Sequence, residues 1–155
     1  MSESESAPDD QMIGDLIAAL EKHLERLSEA VRWHDTAIGR APSPNLLVNA
    51  GWAYGKGLTE LEISGQALTM EPAFLSATIR AATGEAQRDL LRQAGDLVAD
   101  VRREAEELLD SLDAALLADL PDDGRATLYD TRDWWRGYVE SLHKMDDNLR
   151  FMNGD

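Results

Sequence analysis

A chain of 155 residues has the size of one ordinary domain and can bury a core without staples. Thirty acidic residues against 15 Lys and Arg give a net charge of −15, which disfavours direct contact with DNA, RNA or anionic lipid and directs attention to basic protein partners. With no cysteine at all, disulfides, thiolate metal sites and thiol catalysis are excluded.

An apolar fraction of 43% is that of a globular protein rather than a disordered one. The first residues are polar and acidic, without the basic start and apolar run of a secretory signal. No apolar run approaches the roughly 18 residues of a membrane span. A cytoplasmic location, with no membrane contact, is therefore expected.

Residues 1–8 lack periodicity and read as a disordered acidic tail; residues 9–155 read as a single domain. Asp9 or Asp10 offers an N-cap for a first long helix. Ile13, Ile17, Leu20, Leu24, Leu27, Val31, His34 and Ile38 then recur at steps of four and three, the spacing of a heptad seam. Gly39 and the run Ala41-Pro42-Ser43-Pro44 close that helix. From Asn45 to Leu68 two readings compete. A helix would carry Leu47, Ala50, Tyr54, Leu58, Leu61 and Leu68 on one face, at a cost of roughly 1 kcal/mol for each interior glycine. A hairpin would alternate Val48, Ala50, Trp52 and Tyr54, turn at Gly55-Lys56-Gly57 and return through Thr59, Leu61 and Ile63. The helix is preferred, because a lone hairpin is marginal and the flanking segments are helical.

Thr69 and Pro72 mark the start of the next helix, with a break expected near Thr83-Gly84. Between Glu85 and Asp119, Leu91, Ala94, Val98, Val101, Ala105, Leu108, Leu112 and Ala115 form the strongest stripe in the chain, widened by Leu90, Leu97, Leu109 and Leu116. Leu120 to Gly124 is a turn, and Asp130 or Thr131 begins a last helix with Trp135, Tyr138, Leu142, Met145, Leu149 and Met152 as its seam. The expected architecture is an all-α antiparallel helical bundle, its long seams suited to a dimeric, coiled-coil-like assembly and a homodimer.

Five features carry candidate chemistry. His34 and Asp35 lie in Arg32-Trp33-His34-Asp35-Thr36, which resembles the phosphoacceptor box of one class of sensor histidine kinases. The resemblance implies a phosphorylated imidazole oriented by the neighbouring acid, while a helix-seam histidine that sets register explains the same residue. Ala53-Tyr54-Gly55-Lys56-Gly57 resembles the His-x-x-Lys-Gly of histidine phosphotransfer domains, with Ala53 in place of the acceptor. Glu140 and His143 have the Glu-x-x-His spacing of di-iron bundles, but no second such pair exists, and neither metal nor cofactor is expected. Asp89, Asp96, Asp100, Glu104, Glu107 and Asp110 align along one flank of a helix, about 5–6 Å between neighbours, near the phosphate spacing of a nucleic-acid strand. Arg88, Arg92, Arg102 and Arg103 interrupt them, so a solvated face with ion pairs is the competing account. Finally, Trp134, Trp135 and Tyr138 with Arg132 and Arg136 have the composition of an interface hot spot.

No nucleophile elbow or phosphate loop is present, and the expectation is a non-enzymatic interaction protein: an adaptor, assembly subunit, or inhibitor or immunity-type protein masking a basic nucleic-acid-binding surface. The alternative is a histidine phosphoacceptor module using His34.

Overall fold

The computed structural model describes residues 8–118 and 120–154; of the expected tail, residues 1–8, all but Pro8 lie outside them, and Pro8 opens α1. Helix α1 spans Pro8–Thr36. Three antiparallel strands follow, β1 Ile38–Pro42, β2 Val48–Ala53 and β3 Gly57–Ile63, in the order β1-β2-β3. A 3-10 turn at Ala67–Thr69 leads to helix α2, Pro72–Leu116, and then to α3, Asp122–Asn153. Asp9 and Asp10 thus fall inside the first turn of α1 rather than at its cap. Helix accounts for 74% and strand for 12%, so the fold is mixed α/β and the all-α expectation is corrected.

The correction has a local cause. Gly55 and Gly57 take φ of 68° and 80°, the left-handed backbone that a tight hairpin turn needs and a helix cannot use. Ala50 pairs with Leu61 and Val48 with Ile63, in the alternation that the hairpin reading described. The objection that a lone hairpin is marginal does not apply, because β1 supplies a third strand and α2 covers one face. On that face Val48 and Ala50 are buried with Ala82 and Ala86, and Trp52, Ile63, Leu75 and Ile79 close around them. Gly39, read above as a helix terminator, lets β1 approach α2: a Cβ there would stand 2.1 Å from the carbonyl oxygen of Ala86 and 2.6 Å from the nitrogen of Leu90.

Two further boundaries differ. The expected break at Thr83-Gly84 is absent: α2 runs unbroken for 45 residues, and the Thr83 hydroxyl donates to the Ile79 carbonyl. Helix α3 starts at Asp122, eight residues before Asp130, with Asp122 and Asp123 placed where the helix dipole favours carboxylates. No described helix is long and apolar enough to cross a membrane.

The chain divides into two compact units. The helical unit comprises the chain up to Glu29 and Val98–Asp147; the sheet unit comprises Ala30–Leu97 and the chain from Asn148. In the helical unit, Val101, Ala105, Leu108 and Leu112 of α2 are buried with Leu16 and His23 of α1 and Trp135, Val139 and Leu142 of α3. Trp135 Nε1 donates to the Ala105 carbonyl at 2.7 Å, which leaves no indole N–H unsatisfied in the core. Ion pairs from Arg26 to Asp100 and Glu104, from Arg132 to Asp113 and from Arg102 to Asp146 join the helices around this core.

The seam expected on α1 is corrected. Ile13, Ile17 and Leu24 are exposed, and the buried line runs through Leu16 and His23 with Leu20 and Leu27 half-buried. At about 100° per residue the two lines differ by roughly a quarter turn. A histidine in the true core line hid it from an apolar-only pattern.

Candidate functional site

Charge is divided unequally. The helical unit carries 22 acidic residues against 8 Lys and Arg, −14, whereas the sheet unit carries 8 against 7, −1.

The acidic flank of α2 is distributed between the two. In the sheet unit, Asp89 accepts the backbone N–H of Arg40 at 2.9 Å and the Gln93 amide at 2.9 Å. Burial works to raise its pKa, but these hydrogen bonds, with Arg92 beside them, outweigh it and hold the carboxyl below its usual range. Asp89 is therefore a fastener for β1. Asp96 is exposed. In the helical unit, Asp100 pairs with Arg26 and Arg103, and Glu104 pairs with Arg26 and lies 3.6 Å from His23 Nδ1. Only Glu107 and Asp110 of the four there stand exposed. The six carboxylates do not form one uninterrupted free row.

The aromatic cluster is rearranged in an instructive way. Trp135 is buried, and Trp134, adjacent in sequence, is 67% exposed. Trp134 stacks on Tyr138 at 5.8 Å with an interplanar angle of 16°. Tyr138 in turn shares a 3.0 Å hydrogen bond through its hydroxyl with His23 Nε2 of α1. Burial pushes the Tyr138 phenol up, so it stays neutral and can donate or accept in that bond. Arg132 turns the other way, to Asp113 and over the ring of Tyr129 at 5.3 Å, and Arg136 is exposed. The five residues expected to act together thus divide: Trp134 and Tyr138 line the α1 side of α3, Arg132 serves the α2 contact, and Trp135 is core.

Sequence reasoning missed His23. It is 2% exposed, edge-on to Trp135 at 5.3 Å and to Tyr138 at 5.7 Å. Desolvation lowers its pKa, while Glu104 pulls in the opposite direction. Its seven-residue offset from Leu16 was the available signal. An open cleft of about 400 Å³ adjoins His23 between α1 and α2, lined by charges of both signs: Lys22, Arg103, Glu104 and Glu107.

His34 lies in the sheet unit. Its side chain is 64% exposed, its Nδ1 is 3.6 Å from Asp35, and its ring stacks on Tyr54 at 5.0 Å. His143 pairs with Glu106 at 2.6 Å rather than with Glu140, which is exposed. Among the described residues no three His, Asp or Glu side chains gather where they could hold a metal ion.

Against known families, curated proteins and solved structures, the chain has no match.

Proposed function

We propose that this chain is a non-enzymatic protein-binding module whose helical unit docks on a basic surface of another protein, including a surface that would otherwise hold nucleic acid. The observation that carries this reading is the concentration of −14 in one unit that also displays an exposed tryptophan and exposed aliphatic side chains. Charge of that density steers a basic partner in and sets register; desolvated aromatic and aliphatic anchors give affinity. The narrower version, imitation of a phosphate strand, rests on Glu107 and Asp110 with their exposed neighbours, since Asp100 and Glu104 are engaged in holding α1. Affinity capture from the native host tests the proposal. A basic protein released by salt, and no longer captured by a variant with Glu107 and Asp110 neutralised, is expected; partners held equally in high salt would count against it.

A homodimer belongs to this reading and is assigned to the sheet unit, where a charge of −1 spares two copies the repulsion that −14 would impose, and where Leu46, Leu68 and Phe74 are exposed. Light scattering across a concentration series checks it.

A second reading is favoured by the accessibility of His34 beside Asp35. Acid-labile label from a phosphodonor kinase, lost in His34→Gln, is its requirement.

A further inference from the structure

The exposed apolar residues of the helical unit are not scattered. On α1, the side facing α2 is marked by Lys22 and Arg26, which line clefts and ion pairs with α2, and the interior line by Leu16 and His23. Counting about 100° per residue, Leu20 and Leu27 turn toward α3, and Ile13, Ile17 and Leu24 lie just beyond them on the solvent side. On α3 the α2 side is marked by Arg132 and His143, which reach Asp113 and Glu106, and the α1 side by Tyr138, bonded to His23. Trp134 and Met145 lie just beyond Tyr138, again on the solvent side. Both sets therefore flank the same α1–α3 contact from outside. Leu24 is 62% exposed and Trp134 67%.

We infer that Ile13, Ile17 and Leu24 of α1 with Trp134, Tyr138 and Met145 of α3 form a groove that receives a basic amphipathic helix of a partner protein. The inference rests on the proposal that the partner is basic and specifies how it is held. The His23–Tyr138 bond sets the parallel helices α1 and α3 level at those residues, so the walls are staggered, Ile13 and Ile17 below Trp134 and Met145 above Leu24, and together they line about 26 Å. That suits a helix presenting anchors at i, i+3, i+4 and i+7. Glu21 and Glu25 stand exposed on the outer side of the α1 wall and Asp130 on that of α3. Lysine and arginine flanking an apolar stripe would complement this rim. A second copy of the chain would bring its own −14 unit against it, so the groove is not assigned to self-association.

The test uses the full chain and three synthetic helical peptides: one with a leucine stripe flanked by lysines, one of the same composition with the stripe scrambled, and one with glutamate in place of each lysine. Affinity is read from fluorescence anisotropy of labelled peptide. The first peptide is expected to bind, with Leu24→Glu and Trp134→Ala each weakening it on the order of tenfold, while Tyr129→Ala, on the opposite flank of α3, leaves it unchanged. Equal binding of the scrambled lysine peptide would overturn the groove but leave a basic partner standing, since only the charge field would then matter. No binding of either lysine peptide would remove both. Preferential binding of the glutamate peptide, or micromolar self-association abolished by Leu24→Glu, would assign the groove to another occupant and overturn the inference.

Discussion

The helical and sheet units use their carboxylates differently. In the sheet unit, Asp89 fastens the backbone of β1, and Glu60 makes a two-pronged ion pair with Arg40, which lowers the Glu60 pKa through the hydrogen bond itself. Acids and bases there nearly balance. In the helical unit, Arg26, Arg102 and Arg132 join the helices, while Asp15, Glu21, Glu25, Glu107, Asp110, Asp130, Glu140 and Asp147 are exposed with no structural task assigned to them. Their mutual repulsion opposes folding, so the fold alone gives no reason for them. Acid that the fold does not need is the physical argument for a partner that does need it.

Breaking each unit separately sharpens the comparison. The largest effect is expected from Leu112→Ala, at a side chain 1% exposed in the core of the helical unit, with a loss of about 3–4 kcal/mol in denaturant unfolding. Gly39→Ala should cost about 2–3 kcal/mol, because the new methyl meets α2 backbone rather than a side chain that can swing away. Hydrogen exchange should place its damage in β1 and β2, leaving amides of 101–112 protected.

His23→Gln tests the helical unit by pH. Burial holds the folded-state pKa of His23 below that of the unfolded chain, near 6.5, so the unfolded state takes the proton first. The stability this neutral histidine contributes is complete above about pH 6.5 and is lost as pH falls toward the folded-state pKa. The gap in Tm between wild type and His23→Gln should therefore narrow from pH 7 to pH 5; a gap independent of pH would mean that folding leaves the His23 pKa unshifted, and a widening gap that the imidazole is charged in the fold. The smallest effect is expected at Leu46, exposed, with φ of 60° in the β1–β2 connection: Leu46→Gly should raise stability by up to about 1 kcal/mol.

The two units were also unequally legible in sequence. On α2, Ala94, Val101, Ala105, Leu108, Leu112 and Ala115 are buried where the stripe put them, because one helix packed from two sides needs a broad apolar face. The hairpin is the weaker reading by sequence, since Gly39 and Pro42 look like the end of a helix until α2, remote in sequence, is known to lie against Gly39. Local signals described the hairpin; the third strand and its cover are tertiary facts. For the candidate site, Trp134 and Tyr138 were visible by composition, but their separation from Arg132 depends on which helix each side of α3 meets. Ile13, Ile17 and Leu24 read as core by their spacing, yet they are exposed, because an apolar stripe that faces solvent has the same periodicity as one that packs.

The central claim is that the helical unit, and not overall charge, recruits a basic partner. Two variants test it, each moving the net charge from −15 to −11: Glu21, Glu25, Glu107 and Asp110 neutralised in the helical unit, or Asp35, Glu62, Glu71 and Asp96 in the sheet unit. Binding of polylysine, followed by calorimetry across a salt series, should weaken and lose salt dependence in the first variant while the second behaves as wild type. Equal weakening in both would contradict the account.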